Sequence, residues 1–250
     1  MSERNPLVYR GVPVPYIASW DSETPAGTTS PDLILRRSDA GGSWLTYTDE
    51  QPTDRQYGVL WTRVPWSPGV GRPHFAGLHA IRQRMCLSRG RCQICAGPAD
   101  LWMTPATVFQ EYLDICEPGT PFESHNPPVC RSCAPTAARS CPHLNHAGYL
   151  FLAPRTWQIT AISGATADPR TGTFADGTHT VPLSGPDPAA LAVLLRLTLA
   201  KGLVAALTDF QVHSTPEQCP GLGERLAPVK PPVIATIPHQ RTRTWKPFPL

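Results

Sequence analysis

A chain of 250 residues suffices for one large domain or two small ones, and at 41% hydrophobic it carries the apolar material for a buried core. Thirty prolines and 19 glycines against 16% charged residues speak for many turns and short elements and against long regular helices. A net charge of +3 is too small to imply a polyanion partner by itself, and the longest apolar run, residues 191–208, contains Arg196 and Lys201 and is a poor bilayer span. No membrane partner is expected.

Charge is uneven along the chain. Residues 11–54 carry seven acids against Arg36 and Arg37, residues 55–99 seven arginines and no acid, and residues 225–250 five basic groups and no acid. Such runs are either solvated faces that pair with one another or a basic surface for nucleic acid or an acidic protein. Met-Ser-Glu-Arg-Asn-Pro lacks the cationic start and apolar run of a secretory leader, so a cytoplasmic location and reduced thiols are expected.

From Val8 to Trp20 the residues are β-branched and aromatic but broken by Pro13 and Pro15, which predicts edge strands. A polar loop, Asp21 to Ser30, follows. Leu33 to Arg37 and Trp44 to Tyr47 flank the glycine-bearing Asp39-Ala-Gly-Gly-Ser as a hairpin, and Gly58 to Val64 would complete a small meander. From His74 to Arg89 the apolar Phe75, Leu78, Ile81 and Met85 recur at helical spacing beside Arg82, Arg84 and Arg89.

The stretch that organises the rest begins at Arg91-Cys92-Gln-Ile-Cys95-Ala-Gly-Pro. After 34 residues Val129-Cys130-Arg-Ser-Cys133-Ala-Pro repeats the pattern. A two-residue gap lets neighbouring thiolates reach adjacent corners of a tetrahedron about 2.3 Å from zinc, so Cys92, Cys95, Cys130 and Cys133 are the expected ligands of a structural Zn2+. Gly97-Pro98 supplies the knuckle turn, residues 101–103 begin a strand, and Thr104-Pro105 reads as the N-cap and first residue of a helix. Asn126-Pro-Pro delivers an extended approach to Cys130, and helix-prone residues follow Cys133. A knuckle first and a pair at a helix start second is a treble-clef-like, zinc-finger-like arrangement, in which the positive helix end favours thiolate. Arg91, Arg131 and Arg139 stand where they could offset the excess negative charge.

Cys141, His143 and His146 form a second cluster of ligand-type residues, which could take another ion with His125 or Cys116, or could be a helix end with a packed cysteine and solvated histidines. Cys86, Cys116 and Cys219 read as core thiols. Downstream, residues 149–152, 157–162 and 178–183 read as strands. Pro188 to Phe210, capped by Asp187 and apolar nearly all round, predicts the most buried helix of the protein. From Leu226 onward six prolines in 25 residues, with Arg241, Arg243 and Lys246, predict a basic tail that is extended, docked or disordered.

At Arg91-Cys-Gln-Ile-Cys-Ala-Gly-Pro, Asn126-Pro-Pro-Val-Cys-Arg-Ser-Cys-Ala and Cys141-Pro-His-Leu the chain resembles a family of uncharacterised or phage-associated bacterial proteins. The likeness extends to Gly11-Val-Pro-Val-Pro-Tyr-Ile and Gly71-Arg-Pro-His-Phe. It implies one recurrent metal-binding unit and brings no activity with it. The cysteine pairs are also distantly similar to the zinc cores of HNH-type nucleases, with His125-Asn126 ahead of Cys130. That match stops there: no Asp-His pair lies between Cys95 and Cys130, and Ala134 follows the second pair where such enzymes often carry histidine, so the machinery for activating water is missing.

No P-loop, G-x-S-x-G or G-x-G-x-x-G signature is present, and no catalytic residue is assigned. The expected fold class is α+β, with short antiparallel β layers flanking a treble-clef-like zinc centre and one long buried C-terminal helix. The expected divisions are a β-rich segment 1–70, a zinc-binding module 71–147, strands plus buried helix 148–225, and the Pro-rich basic tail 226–250. The expected function is non-catalytic binding of nucleic acid or an acidic protein surface through Arg72, Arg82, Arg84, Arg89 and Arg91. Two alternatives stand beside it. One is a small-molecule-modifying enzyme with structural zinc and a pocket between the β layers, lined by some of Trp20, Trp44, Trp61, Trp66 and His74; the other is a phage-associated scaffold or interaction protein.

Overall fold

The structure is a computed structural model that describes residues 6–39, 41–141, 144 and 148–215. Strands β1 (Leu7–Tyr9), β2 (Val12–Val14), β3 (Ala18–Trp20), β4 (Leu33–Arg37), β5 (Ser43–Tyr47), β6 (Arg55–Gln56), β7 (Val59–Trp61) and β8 (Pro73–Leu78) precede helix α1 (Ala80–Ser88). Next come β9 (Trp102–Pro105), α2 (Ala106–Ile115), β10 (Phe122–Ser124) and α3 (Ala134–Ser140). The last elements are β11 (Tyr149–Thr166), β12 (His179–Pro182), α4 (Pro188–Arg196) and β13 (Thr198–His213). The chain folds as two compact units, the first from residues 6–16, 85–158 and 205–215 and the second from 17–84 and 159–204.

In the first unit β1 and β2 pair antiparallel across Arg10 and Gly11, both with positive φ, as a two-residue hairpin turn demands. β9 pairs antiparallel with the start of β11, and β10 with the later part of β13. Helix α2 sets Phe109 and Tyr112 against Phe122 and Phe210, with ring centroids no more than 6.2 Å apart. Apart from these rings, Leu101, Met103, Val129, Ala134, Phe151 and Ala153 form the apolar bed under the cysteines.

In the second unit the sheet order is β12-β11-β13-β7-β6, antiparallel except for β7 and β13, which run parallel with Leu60 opposite Leu199. Hairpin β4–β5 contributes Leu33, Leu35, Leu45 and Tyr47 to a core with Leu60 and Leu199. β3 pairs with β8 across a bulge at Ala18/Ser19. The Gln83 side chain on α1 clamps the Leu203 backbone, accepting from its amide (3.0 Å) and donating to its carbonyl (2.9 Å).

The molecule is mostly β, built on a seven-stranded mixed sheet with four short helices among the described residues, and this corrects the α+β expectation. The expected short antiparallel layers are replaced by a sheet whose longest members, β11 and β13, run 18 and 16 residues. The long buried C-terminal helix does not exist. Only Pro188–Arg196 is helical, and it buries none of its residues, whereas Thr198–His213 is a strand buried almost without interruption as far as Leu207. A strand covered on both faces reads as a continuous apolar run, and periodicity alone cannot separate it from a buried helix. The helix expected from His74 likewise starts only at Ala80, because Pro73–Leu78 is drawn into pairing with β3 and Phe75 stays 46% exposed.

Candidate metal centre

Three local devices bring four thiols together in the first unit. Residues 92–97 form a tight knuckle in which the Cys92 amide donates to the Gly97 carbonyl (2.7 Å) and the Ala96 amide to the Cys92 carbonyl (2.8 Å). A Cβ at Gly97 would stand 3.3 Å from the Cys95 Sγ, so a larger residue would press on the ligand. The approach to the second pair is fastened to the knuckle and to the chain after it, the Gln93 amide donating to the Pro128 carbonyl (2.9 Å) and the Val129 amide to the Leu101 carbonyl (2.7 Å). Cys133 then takes the N-cap position of α3, with the Cys133 and Ala134 amides donating to the Cys130 carbonyl (3.1 and 3.0 Å). The Tyr16 amide adds a further segment by donating to the Ile94 carbonyl (3.0 Å).

The ligand atoms of Cys92, Cys95, Cys130 and Cys133 all lie within 4.8 Å of one another, and the Cys95 and Cys130 sulfurs are 3.8 Å apart. Tetrahedral thiolate coordination about 2.3 Å from zinc spaces its sulfurs by about 3.8 Å, while a disulfide requires about 2.05 Å. The four are free thiols, and the donor set fits an ion such as zinc. The Ile94 amide donates to the Cys92 Sγ and the Gly97 amide to the Cys95 Sγ (both 3.4 Å), aiming partial positive charge at sulfur.

Left to themselves the thiols share their protons unequally. A hydrogen bond from Cys92, helped by Ser132 and opposed by burial, brings Cys130 down to about 4. The same shared proton, and then burial, drives Cys92 well above the ordinary thiol range, and burial followed by Cys130 raises Cys133 to about 12. Sulfurs this close cannot all ionise without a cation among them, a charge that a divalent ion would supply.

No family model, curated protein or solved structure matches the chain. The resemblance to phage-associated bacterial proteins therefore gains no support, and what stands is the four-cysteine cluster itself.

Among the described residues no other group of three or more Cys, His, Asp or Glu side chains converges on one point. Cys141 packs half-buried against the apolar bed beneath the four thiols, while His143, His146, Cys219 and residues 226–250 lie outside the described residues. The Cys86 thiol is buried against the Cys92 carbonyl (3.7 Å). His125 is half-buried, and burial lowers its pKa.

The five arginines assigned to a polyanion divide between the units. In the first, Arg89 is exposed and Arg91 donates to the Ala96 carbonyl inside the knuckle (3.0 Å). In the second, Arg72 is exposed, Arg84 lies 4.3 Å over the Trp61 ring, and Arg82 is 2% exposed, donating to the Ala18 carbonyl (2.9 Å) and to Glu23. Glu23 is the functional-type residue that sequence reasoning passed over, since a lone acid in a polar loop carries no sign of burial. Its position three residues after Trp20, whose amide it caps at 3.0 Å, is the one local signal. Of the tryptophans, Trp20 and Trp61 are buried, Trp44 is half-buried and Trp66 is 48% exposed; His74 is exposed and pairs with Asp21 at 2.8 Å.

Proposed function

We propose that the chain is a zinc-stabilised binding module without catalytic activity of its own. The observation that carries this reading is the convergence of four cysteine sulfurs, which would fill every corner of a tetrahedral ion and leave none for water or substrate, as in structural zinc sites. The order of a knuckle followed by a pair entering α3 supports a treble-clef-like description of the centre. Because the ligands come from remote segments, metal affinity and folding free energy of this unit are one quantity. The partner in this reading is a polyanion, nucleic acid or acidic protein. The described residues hold as many carboxylates as cations, so the net +3 resides outside them, where residues 225–250 carry five bases and no acid.

Metal analysis of the native protein tests the first half: about one zinc per chain, lost in Cys130→Ser, is expected. Native protein without zinc overturns the reading. Salt-dependent retention on immobilised oligonucleotide or on an acidic protein tests the second half, with loss expected on combined alanine substitution of Arg241, Arg243 and Lys246. Zinc without any such retention would remove the polyanion and leave the module.

A further inference from the structure

In the second unit an open cleft of about 430 Å3 is lined by Trp44, Thr46, Glu50, Arg55, Gly58 and Arg196. Strand register explains its wall. Arg36 stands opposite Trp44 and Ile34 opposite Thr46, so these four share the face of the β4–β5 hairpin turned away from Leu33, Leu35, Leu45 and Tyr47, which are spent on the core.

The floor is held in place by hydrogen bonds. Thr46 Oγ1 donates to Glu50 Oε2 (2.5 Å), while Arg55 donates from Nε to Glu50 Oε1 (2.6 Å) and from Nη2 to Glu50 Oε2 (3.0 Å) and the Leu45 carbonyl (2.5 Å). Arg55 therefore neutralises Glu50 and holds its carboxyl below the usual range. Arg196, the last residue of α4, is exposed and makes no hydrogen bond, ion pair or ring contact among the described residues. It is the uncompensated charge of the cleft, and Arg36 stands opposite Trp44 on the hairpin face.

An indole wall and an uncommitted guanidinium suit a ligand that joins a planar ring to an anionic group. The Glu50 carboxylate and the Arg55 guanidinium add an acceptor and a donor side by side, a pairing that matches the polar edge of a base. The volume lies within the roughly 300–1,000 Å3 of small-molecule sites. We infer that this cleft binds a nucleotide unit, base against Trp44 and phosphate on Arg196, either free or within a single strand. The inference concerns the second unit and stands whether or not the thiols of the first hold zinc.

Titrating the full chain with AMP, read by ligand-observed NMR, should show saturable binding. Arg196→Ala removes an exposed side chain without internal partners and should weaken that binding about tenfold or more, as should Trp44→Leu, whereas Trp44→Phe keeps a stacking ring and should retain it. Adenosine should bind about tenfold more weakly than AMP and be indifferent to Arg196→Ala. A short oligoadenylate that binds more tightly than AMP assigns the site to strands, and one that binds no better assigns it to free nucleotides. Absence of saturable AMP binding, or binding that Arg196→Ala leaves unchanged, overturns the inference.

Discussion

One buried carboxylate governs the second unit at the scale of single residues. Glu23 is 0% exposed; its Oε2 accepts from the Trp20 amide (3.0 Å) and from Arg82, and its Oε1 from the Ser67 amide (2.9 Å). His79 accepts the Arg82 amide on Nδ1 (3.4 Å) and so donates from Nε2 to the Pro65 carbonyl (3.0 Å), which defines a neutral tautomer. Truncating one member of a buried ion pair strands the other, so Arg82→Met is expected to cost about 3–5 kcal/mol in urea unfolding. The double variant Glu23→Gln/Arg82→Met should cost less than the sum of the singles. Burial, and then the charge of Arg82, lowers the His79 pKa from 6.5. The unfolded chain therefore takes up this proton first as the pH falls. His79 contributes its full stabilisation above 6.5 and loses it below, by up to about 1.4 kcal/mol per pH unit until the folded value is passed. Unfolding midpoints measured on either side of 6.5 should show this slope in the native chain and a smaller one in His79→Gln.

At the scale of elements the informative contrast is between α4 and β13, neighbours in sequence with opposite surroundings. Val193 on α4 is 52% exposed and Leu203 on β13 is 0% exposed. Val193→Glu is accordingly expected to change stability by no more than about 0.5 kcal/mol, while Leu203→Ala should cost about 2–5 kcal/mol. Under the buried-helix alternative both would be severe, so denaturant titration of the pair separates the two. Close approach of strands sets a second constraint. A Cβ on Gly164 of β11 would come within 2.5 Å of the Leu199 carbonyl and 3.1 Å of the Ala200 Cα, both backbone atoms with no room to yield. Gly164→Ala should therefore cost about 1–3 kcal/mol by overpacking, visible as a lower unfolding midpoint.

For the whole molecule the question is what the thiol cluster sustains. It ties residues 92–97 to 128–134, with Tyr16 fastened to Ile94, over a bed that includes Leu101, Val129 and Phe151. On the proposed zinc-stabilised reading, treatment with a chelator is expected to abolish amide protection first at residues 92–103 and 128–138, followed by hydrogen exchange and mass spectrometry. Unchanged protection there would remove the structural role. Acid should have the same effect as the chelator, since protons compete with the ion for sulfur.

Some features were readable from the chain alone because they are decided by residues a few positions apart. The C-x2-C spacings, the turn at Gly97, the β4–β5 hairpin around Gly41 and Gly42, and the Asp187 cap, whose Oδ1 accepts the Ala189 and Ala190 amides (both 3.0 Å), are of this kind. The tertiary structure alone decided the rest. The apolar run after Arg196 announced burial but not conformation; lying between β11 and β7, with hydrogen-bonded neighbours on both sides, it became a strand. Arg82 carries the same local signature as the exposed Arg89, yet it is buried because Glu23, 59 residues away, meets it when the chain folds back. Burial and pairing belong to contacts between distant segments, and no window of neighbouring residues contains them.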